Sequence, residues 1–144
     1  MTTRWKLVSA GTAAALLVAA VTLGVFLRDG SSAATRSDKE HALDLGTQPA
    51  DIVSTYRYIE SQPEVASRIP CYCGCGKSLG HQSLLDCYVI GPGTYSDHAS
   101  VCLICGREAA DLERLAAEGQ KTSVIRAWID AEYSPYGPPT NTPE

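Results

Sequence analysis

The stretch Pro70-Cys71-Tyr72-Cys73-Gly74-Cys75-Gly76-Lys77-Ser78-Leu79-Gly80-His81 sets three cysteines at alternate positions and follows them with glycine. In an extended or turning backbone, alternate residues aim their side chains to one side. Gly74 and Gly76 allow a positive φ, so the segment can curl and bring its sulfurs to one point. The three thiols cannot satisfy one another, because a disulfide between residues two apart rarely reaches the required Cβ geometry. They need partners elsewhere in the chain, or a shared ion.

Partners lie close by. All six cysteines fall between Cys71 and Cys105. Cys87 ends a short helix predicted around His81 to Tyr88. Cys102 and Cys105 stand at a spacing that shares one helix face, and His98, four residues before Cys102, extends that face by a turn. Gly106 leaves a second geometry open, in which Cys102 and Cys105 sit on a tight knuckle turn; only the helical version recruits His98. The candidate donors are therefore Cys71, Cys73, Cys75, Cys87, Cys102 and Cys105, with His81 and His98 as imidazoles. Asp86 and Asp97 flank the cysteine-bearing segments and are candidates to orient an imidazole or to face solvent.

Three outcomes fit such a set. Clustered thiolates with one or two imidazoles favour soft or borderline ions, copper(I) or zinc, and a bound cation relieves the repulsion among the sulfurs. Alternatively, an even number of cysteines in a small exported domain is where disulfide frameworks occur, each bridge contributing about 2–4 kcal/mol. The third outcome is thiol–disulfide exchange through the Cys102/Cys105 pair. The strand-to-helix setting of thioredoxin-like exchangers is absent from the pattern, and this is the least favoured of the three.

The compartment is set by the amino terminus. Residues 7–27 form an uncharged apolar run of 21 residues, about 30 Å long as a helix and enough to cross a bilayer. Arg4 and Lys6 precede it, which favours a cytoplasmic amino terminus and an exported remainder. A signal anchor over residues 1–28 is preferred to a cleaved signal, because the run exceeds the 7–15 residues usual in cleaved signals. Residues 29–47 read as a flexible tether carrying a solvated His41, residues 48–134 as the folded unit, and the proline-rich residues 135–144 as a disordered tail.

From residue 29 onward, 16 acidic against 9 basic residues leave a net charge of −7 and no basic cluster. Nucleic acid is a poor partner for such a surface. With 44% apolar and 19% charged residues the chain has a folding composition. The periodicity of the folded unit is helical. Ile52, Val53, Tyr56 and Ile59 share one face; Ser96 caps a helix whose stripe runs Val101, Cys102, Cys105, Ala109, Leu112 and Ala116 to a stop at Gly119. Thr122 caps a last helix with Val124, Ile125, Trp128, Ile129 and Tyr133 on one side. Tyr72, Tyr88 and Trp128 read as packing residues. The expected fold is all-α: a small helical domain with one irregular cysteine-rich loop, behind a single transmembrane helix.

Pro70 to Gly76, followed by Gly80-His81, Asp86-Cys87, His98, Cys102 and Cys105, resembles the bacterial PCYCGC-motif proteins over residues 50–133. The resemblance implies an exported, membrane-attached bacterial protein and no particular mechanism. Many members look like lipoproteins; this chain lacks a cysteine after its apolar run, so the helix itself must anchor it. No Ser/His/Asp set, carboxylate pair or phosphate loop points to an enzyme. The expectation is a membrane-tethered, extracytoplasmic domain that carries, buffers or delivers copper(I) or zinc to a receiving or cell-surface protein. The alternative is a disulfide-knit interaction domain.

Overall fold

The structure is a computed structural model that describes residues 41–144. The apolar run at residues 7–27 lies outside them, and among the described residues no helix is long and apolar enough to cross a membrane.

Helices dominate, as the periodicity predicts. Helix α1 (Ala50–Ser61) follows Pro49, carries Asp51 in its first turn and buries Tyr56 and Ile59. Pro63 opens the one-turn α2 (Pro63–Ala66). Two further short helices, α3 (Cys75–Ser78) and α4 (Leu84–Tyr88), bracket the second half of the cysteine loop. After α5 (His98–Val101) comes α6 (Leu103–Ala117), the longest of the described helices. It ends on Gly119 at φ 76°, where the Gln120 N–H donates to the Leu115 carbonyl at 3.1 Å. The last helix, α7 (Thr122–Tyr133), buries Ile125, Ile129 and Tyr133. Thr122 is its first residue rather than its cap; Lys121 holds the cap position with no side-chain hydrogen bond.

The all-α expectation needs one correction. A small antiparallel sheet of order β1-β3-β2 is present, made of β1 (Ala42–Leu43), β2 (Val89–Gly91) and β3 (Thr94–Ser96). Strands of two or three residues are too short to show an alternating pattern; the local signal is the Gly91-Pro92-Gly93 turn, with Gly93 at φ 67°. β1 and the 3₁₀ turn Leu45–Thr47 also draw the last part of the expected tether into the domain, with Leu45 buried.

Tyr56 ties sheet and helices together. Its hydroxyl donates to the Ser96 carbonyl at 2.7 Å, and its ring meets Tyr88 edge-on with centroids 4.8 Å apart. Trp128, expected in the core, lies at its margin with Arg114 stacked 5.1 Å over the ring, and Val124 is 47% exposed.

The proline-rich end is not a free tail. Thr140 is buried, and Arg126 donates to the carbonyls of Thr142 and Pro143. Residues 137–143 form a strap across the cysteine loop. Prolines favour an extended chain with few donors of its own, and such a chain is held here by side chains it meets.

Candidate metal centre

The cysteine loop is held from both sides. The Cys71 N–H donates to Thr140 Oγ1 at 2.9 Å, while the Cys71 carbonyl accepts from the Thr140 N–H at 3.0 Å. One residue on, the Tyr72 N–H donates to a Glu108 carboxylate oxygen at 2.8 Å, and the Tyr72 hydroxyl donates to Asp130 at 2.6 Å. Gly74 then takes φ 86°, turning the chain into α3 so that Cys75 points back toward Cys71. Gly80, at φ 80°, reverses it again and delivers His81, which is 2% exposed.

Helix α4 supplies Cys87, whose sulfur lies 3.5 Å from Cys75 Sγ and 3.3 Å from His81 Nδ1. The remaining donors come from a broken helix. The Ser96 hydroxyl accepts from the His98 N–H at 3.1 Å, although Asp97, not Ser96, holds the cap position of α5. The helix does not run through Cys102, however. Cys102 is extended, at φ −98° and ψ 106°, and a new helix begins at Leu103. The predicted continuous stripe is thus corrected: Val101 is 84% exposed, and Leu115 is buried in the stripe where Ala116 was expected. The break nevertheless keeps His98 at the site, with Nε2 3.4 Å from Cys73 Sγ. Gly106 sits inside α6, so the knuckle-turn geometry is not adopted.

All eight predicted donors therefore converge. The Cys71 sulfur is 3.4 Å from Cys73 and 3.5 Å from Cys105, and Cys73 and Cys105 are 3.7 Å apart. Each of the six thiols is free. A disulfide needs about 2.05 Å between sulfurs. Sulfurs placed tetrahedrally at about 2.3 Å from one ion would lie about 3.8 Å apart, close to the spacings present. Four sets of donors each lie within 4.8 Å of one another: Cys73, His98, Cys102 and Cys105; Cys75, His81, Cys87 and His98; Cys71, Cys87 and Cys105; and Cys71, Cys73 and Cys75.

The charge distribution is uneven. Hydrogen bonds from Cys102, Cys105 and Cys71 pull Cys73 far below an ordinary thiol. The partners that hold the protons move the other way. Cys71 and Cys87 are raised first by Cys105, Cys75 by Cys71, and Cys105 by Cys102. His98 is pushed up to about 10, by Cys73 first and Cys75 next. Both shifts favour the charged form, of Cys73 as of His98, and the two side chains lie 3.4 Å apart.

Glu108 was not singled out in the sequence. It is fully buried, one carboxylate oxygen has no hydrogen-bond partner among the described residues, and burial pushes it up to about 7. The available signal was its position three residues after Cys105, inside the apolar face continued by Leu112 and Leu115. Asp86 accepts from the Gln82 N–H at 2.7 Å, and Asp97 lies 3.6 Å from the outward-facing His41.

Two openings reach the donors. A cleft of about 350 Å³ between loop and strap is lined by Gly76, His81, Pro139 and Thr140 among others. The second is at Cys102, partly exposed between Val101 and Leu103, the latter 78% exposed.

Residues 29–144 match the model of a family described as "Protein of unknown function with PCYCGC motif". The matched region includes the strap. No curated protein and no solved structure matches the chain.

Proposed function

The chain belongs to the PCYCGC-motif family, and we propose that it is a membrane-tethered, extracytoplasmic metal-binding protein that holds copper(I) or zinc for carriage, buffering or delivery. The observation that carries this reading is the approach of five sulfurs and two imidazoles, contributed by one loop and three helices, at non-bonded spacings of 3.3–3.7 Å, with the sixth sulfur, Cys102, within 4.8 Å of Cys73, His98 and Cys105. Gathering so many thiols serves no packing purpose that smaller apolar residues would not serve, and thiolates select soft ions. The uncharged run at residues 7–27, behind Arg4 and Lys6, supports the tether and the exported side.

In this reading Cys73 and His98 begin the capture. The hydrogen bonds around Cys73 favour its thiolate, the form that binds an ion, and His98 must be neutral to serve as a ligand. The remaining thiols follow as the bound cation lowers their proton affinity. Tyr72, Glu108 and Thr140 hold the loop backbone so that the sulfurs need not reorganise. Cys73 and Cys102 are the partly exposed sulfurs, and Cys102, between the exposed Val101 and Leu103, is the one a receiving protein's thiol would reach first.

The test uses the full chain in mild detergent, reduced under anaerobic conditions and loaded separately with copper(I) and with zinc. Metal retained after gel filtration, with the cysteines shielded from alkylation, is the expected result. Protein isolated without reductant, lacking six thiol hydrogens and retaining neither metal after reduction, would establish the disulfide scaffold instead.

A further inference from the structure

The four donor sets are not independent. The set containing Cys102 shares His98 with the set containing His81, Cys105 with the buried set Cys71/Cys87/Cys105, and Cys73 with the loop set Cys71/Cys73/Cys75. The His81 set shares Cys87 with the buried set and Cys75 with the loop set. The buried and loop sets share Cys71. Every pair of sets thus has one donor in common, and each shared donor serves one pair. The connectivity is that of a tetrahedron: four sets at the corners and six shared residues along the edges. Cys102 and His81 alone belong to a single set each.

Bridging chemistry fits five of the six edges. A thiolate has lone pairs enough to bind two ions at once, whereas a neutral imidazole offers one nitrogen lone pair and serves one ion. Cys71, Cys73, Cys75, Cys87 and Cys105 can bridge; His98 cannot, and must side with one set. Without His98 each set still keeps three donors: Cys73, Cys102 and Cys105; Cys75, His81 and Cys87; and the two all-cysteine sets. Copper(I), a soft ion, is content with three thiolate-type donors. Structural zinc asks for four, which only the two sets containing His98 could reach, and one imidazole cannot complete both. Four copper(I) ions against six thiolates leave a net charge of −2, partly offset by the amino-terminal end of α6, where Cys102 and Cys105 lie.

Resting on the metal-binding reading above, we infer that the chain holds one tetranuclear copper(I)–thiolate cluster, with five bridging cysteines, Cys102 and His81 as end-on ligands and His98 as an additional donor. Shared ligands make filling cooperative. An ion entering one set deprotonates and fixes a sulfur belonging to each adjoining set.

The full chain, fully reduced and anaerobic in detergent, is titrated with copper(I) from a competing chelator. Native mass spectrometry reads the number bound, and X-ray absorption reads whether copper scatters from copper. Four ions per chain, with singly loaded protein scarcely populated and a copper–copper scattering shell, are expected. Cys71→Ser takes a donor from two three-donor sets and should bind two fewer ions. Cys102→Ser leaves Cys73, Cys105 and His98 in its set and should still bind four, one of them yielded more readily to the chelator. Saturation below four without a copper–copper shell, or equal losses in the two variants, overturns the cluster while leaving a simpler metal site standing. A reduced chain that retains no copper overturns the metal-binding reading as well. If Cys71→Ser does not fold, the stoichiometry of the unaltered chain and of Cys102→Ser decides.

Discussion

Thr140 pairs with Cys71 at two points, its hydroxyl accepting the Cys71 N–H at 2.9 Å and its own N–H reaching the Cys71 carbonyl at 3.0 Å. The two residues are 69 positions apart, and the pair clamps the first cysteine of the loop to the last segment of the chain. The same Thr140 hydroxyl lies 2.8 Å from that of Thr142, which in turn donates to the Gln82 carbonyl. The strap is therefore part of the site's wall.

Thr140→Val keeps the shape and removes the acceptor, leaving the Cys71 N–H buried and unpaired. A loss of about 1–3 kcal/mol is expected in urea unfolding of the reduced protein, together with faster copper loss to a chelator. Unchanged stability and retention would mean that the strap rests on the loop without supporting it.

Glu108 supports the next residue. Glu108→Ala removes the acceptor of the Tyr72 N–H and opens a small void, and should cost about 1–3 kcal/mol. Glu108→Gln keeps a carbonyl oxygen for Tyr72 and discards a carboxylate whose second oxygen has no hydrogen-bond partner among the described residues. It should therefore cost clearly less than the alanine, or nothing. Equal costs for the two variants, measured by urea unfolding at one pH, would assign Glu108 a role other than holding Tyr72.

The convergence of the sulfurs was legible because neighbouring cysteines of the Cys-x-Cys-x-Cys run are poorly placed to pair with each other, and because His98, Cys102 and Cys105 stand close together in the chain; His98 reaches the site across the break, against Cys73. The helices were legible where stripes were long, as at Ile125, Ile129 and Tyr133. The break at Cys102 was not. Nothing in His98 to Gly106 forbids a continuous helix, and the bend is imposed by the need to turn Cys102 and Cys105 toward one loop. The sheet was missed because strands of two or three residues have no period to read. The strap was misread as disordered, since proline-rich composition describes what a segment does alone and says nothing of the acceptors that Thr140 and Thr142 find on a neighbouring loop.

Two glycines give opposite expectations for the same substitution. A Cβ at Gly137 would lie 2.8 Å from the Tyr72 carbonyl oxygen, so Gly137→Ala must push the strap off the loop. A loss of about 1–3 kcal/mol is expected, by analogy with overpacked interiors. Gly106 lies inside α6, and a Cβ there meets nothing within 4 Å. Gly106→Ala should stabilise by roughly 0.5–1 kcal/mol through backbone entropy alone. Thermal unfolding of the two variants beside the parent measures both, and a destabilised Gly106→Ala would sink the account of α6 as an uninterrupted helix.

His98 contributes to two donor sets but bridges none, so its removal should affect strength rather than number. His98→Ala leaves three donors in each set and should keep the same copper stoichiometry. It removes the additional nitrogen, so one ion should be held more weakly, on the order of ten- to a hundred-fold. Competition against a chromogenic chelator reads both quantities in one titration. A loss of whole ions would show that His98 is indispensable to its sets, which would favour four-coordinate sites of the kind zinc prefers. An unchanged affinity would remove His98 from the centre altogether, leaving its 3.4 Å approach to Cys73 as a feature of the metal-free fold alone.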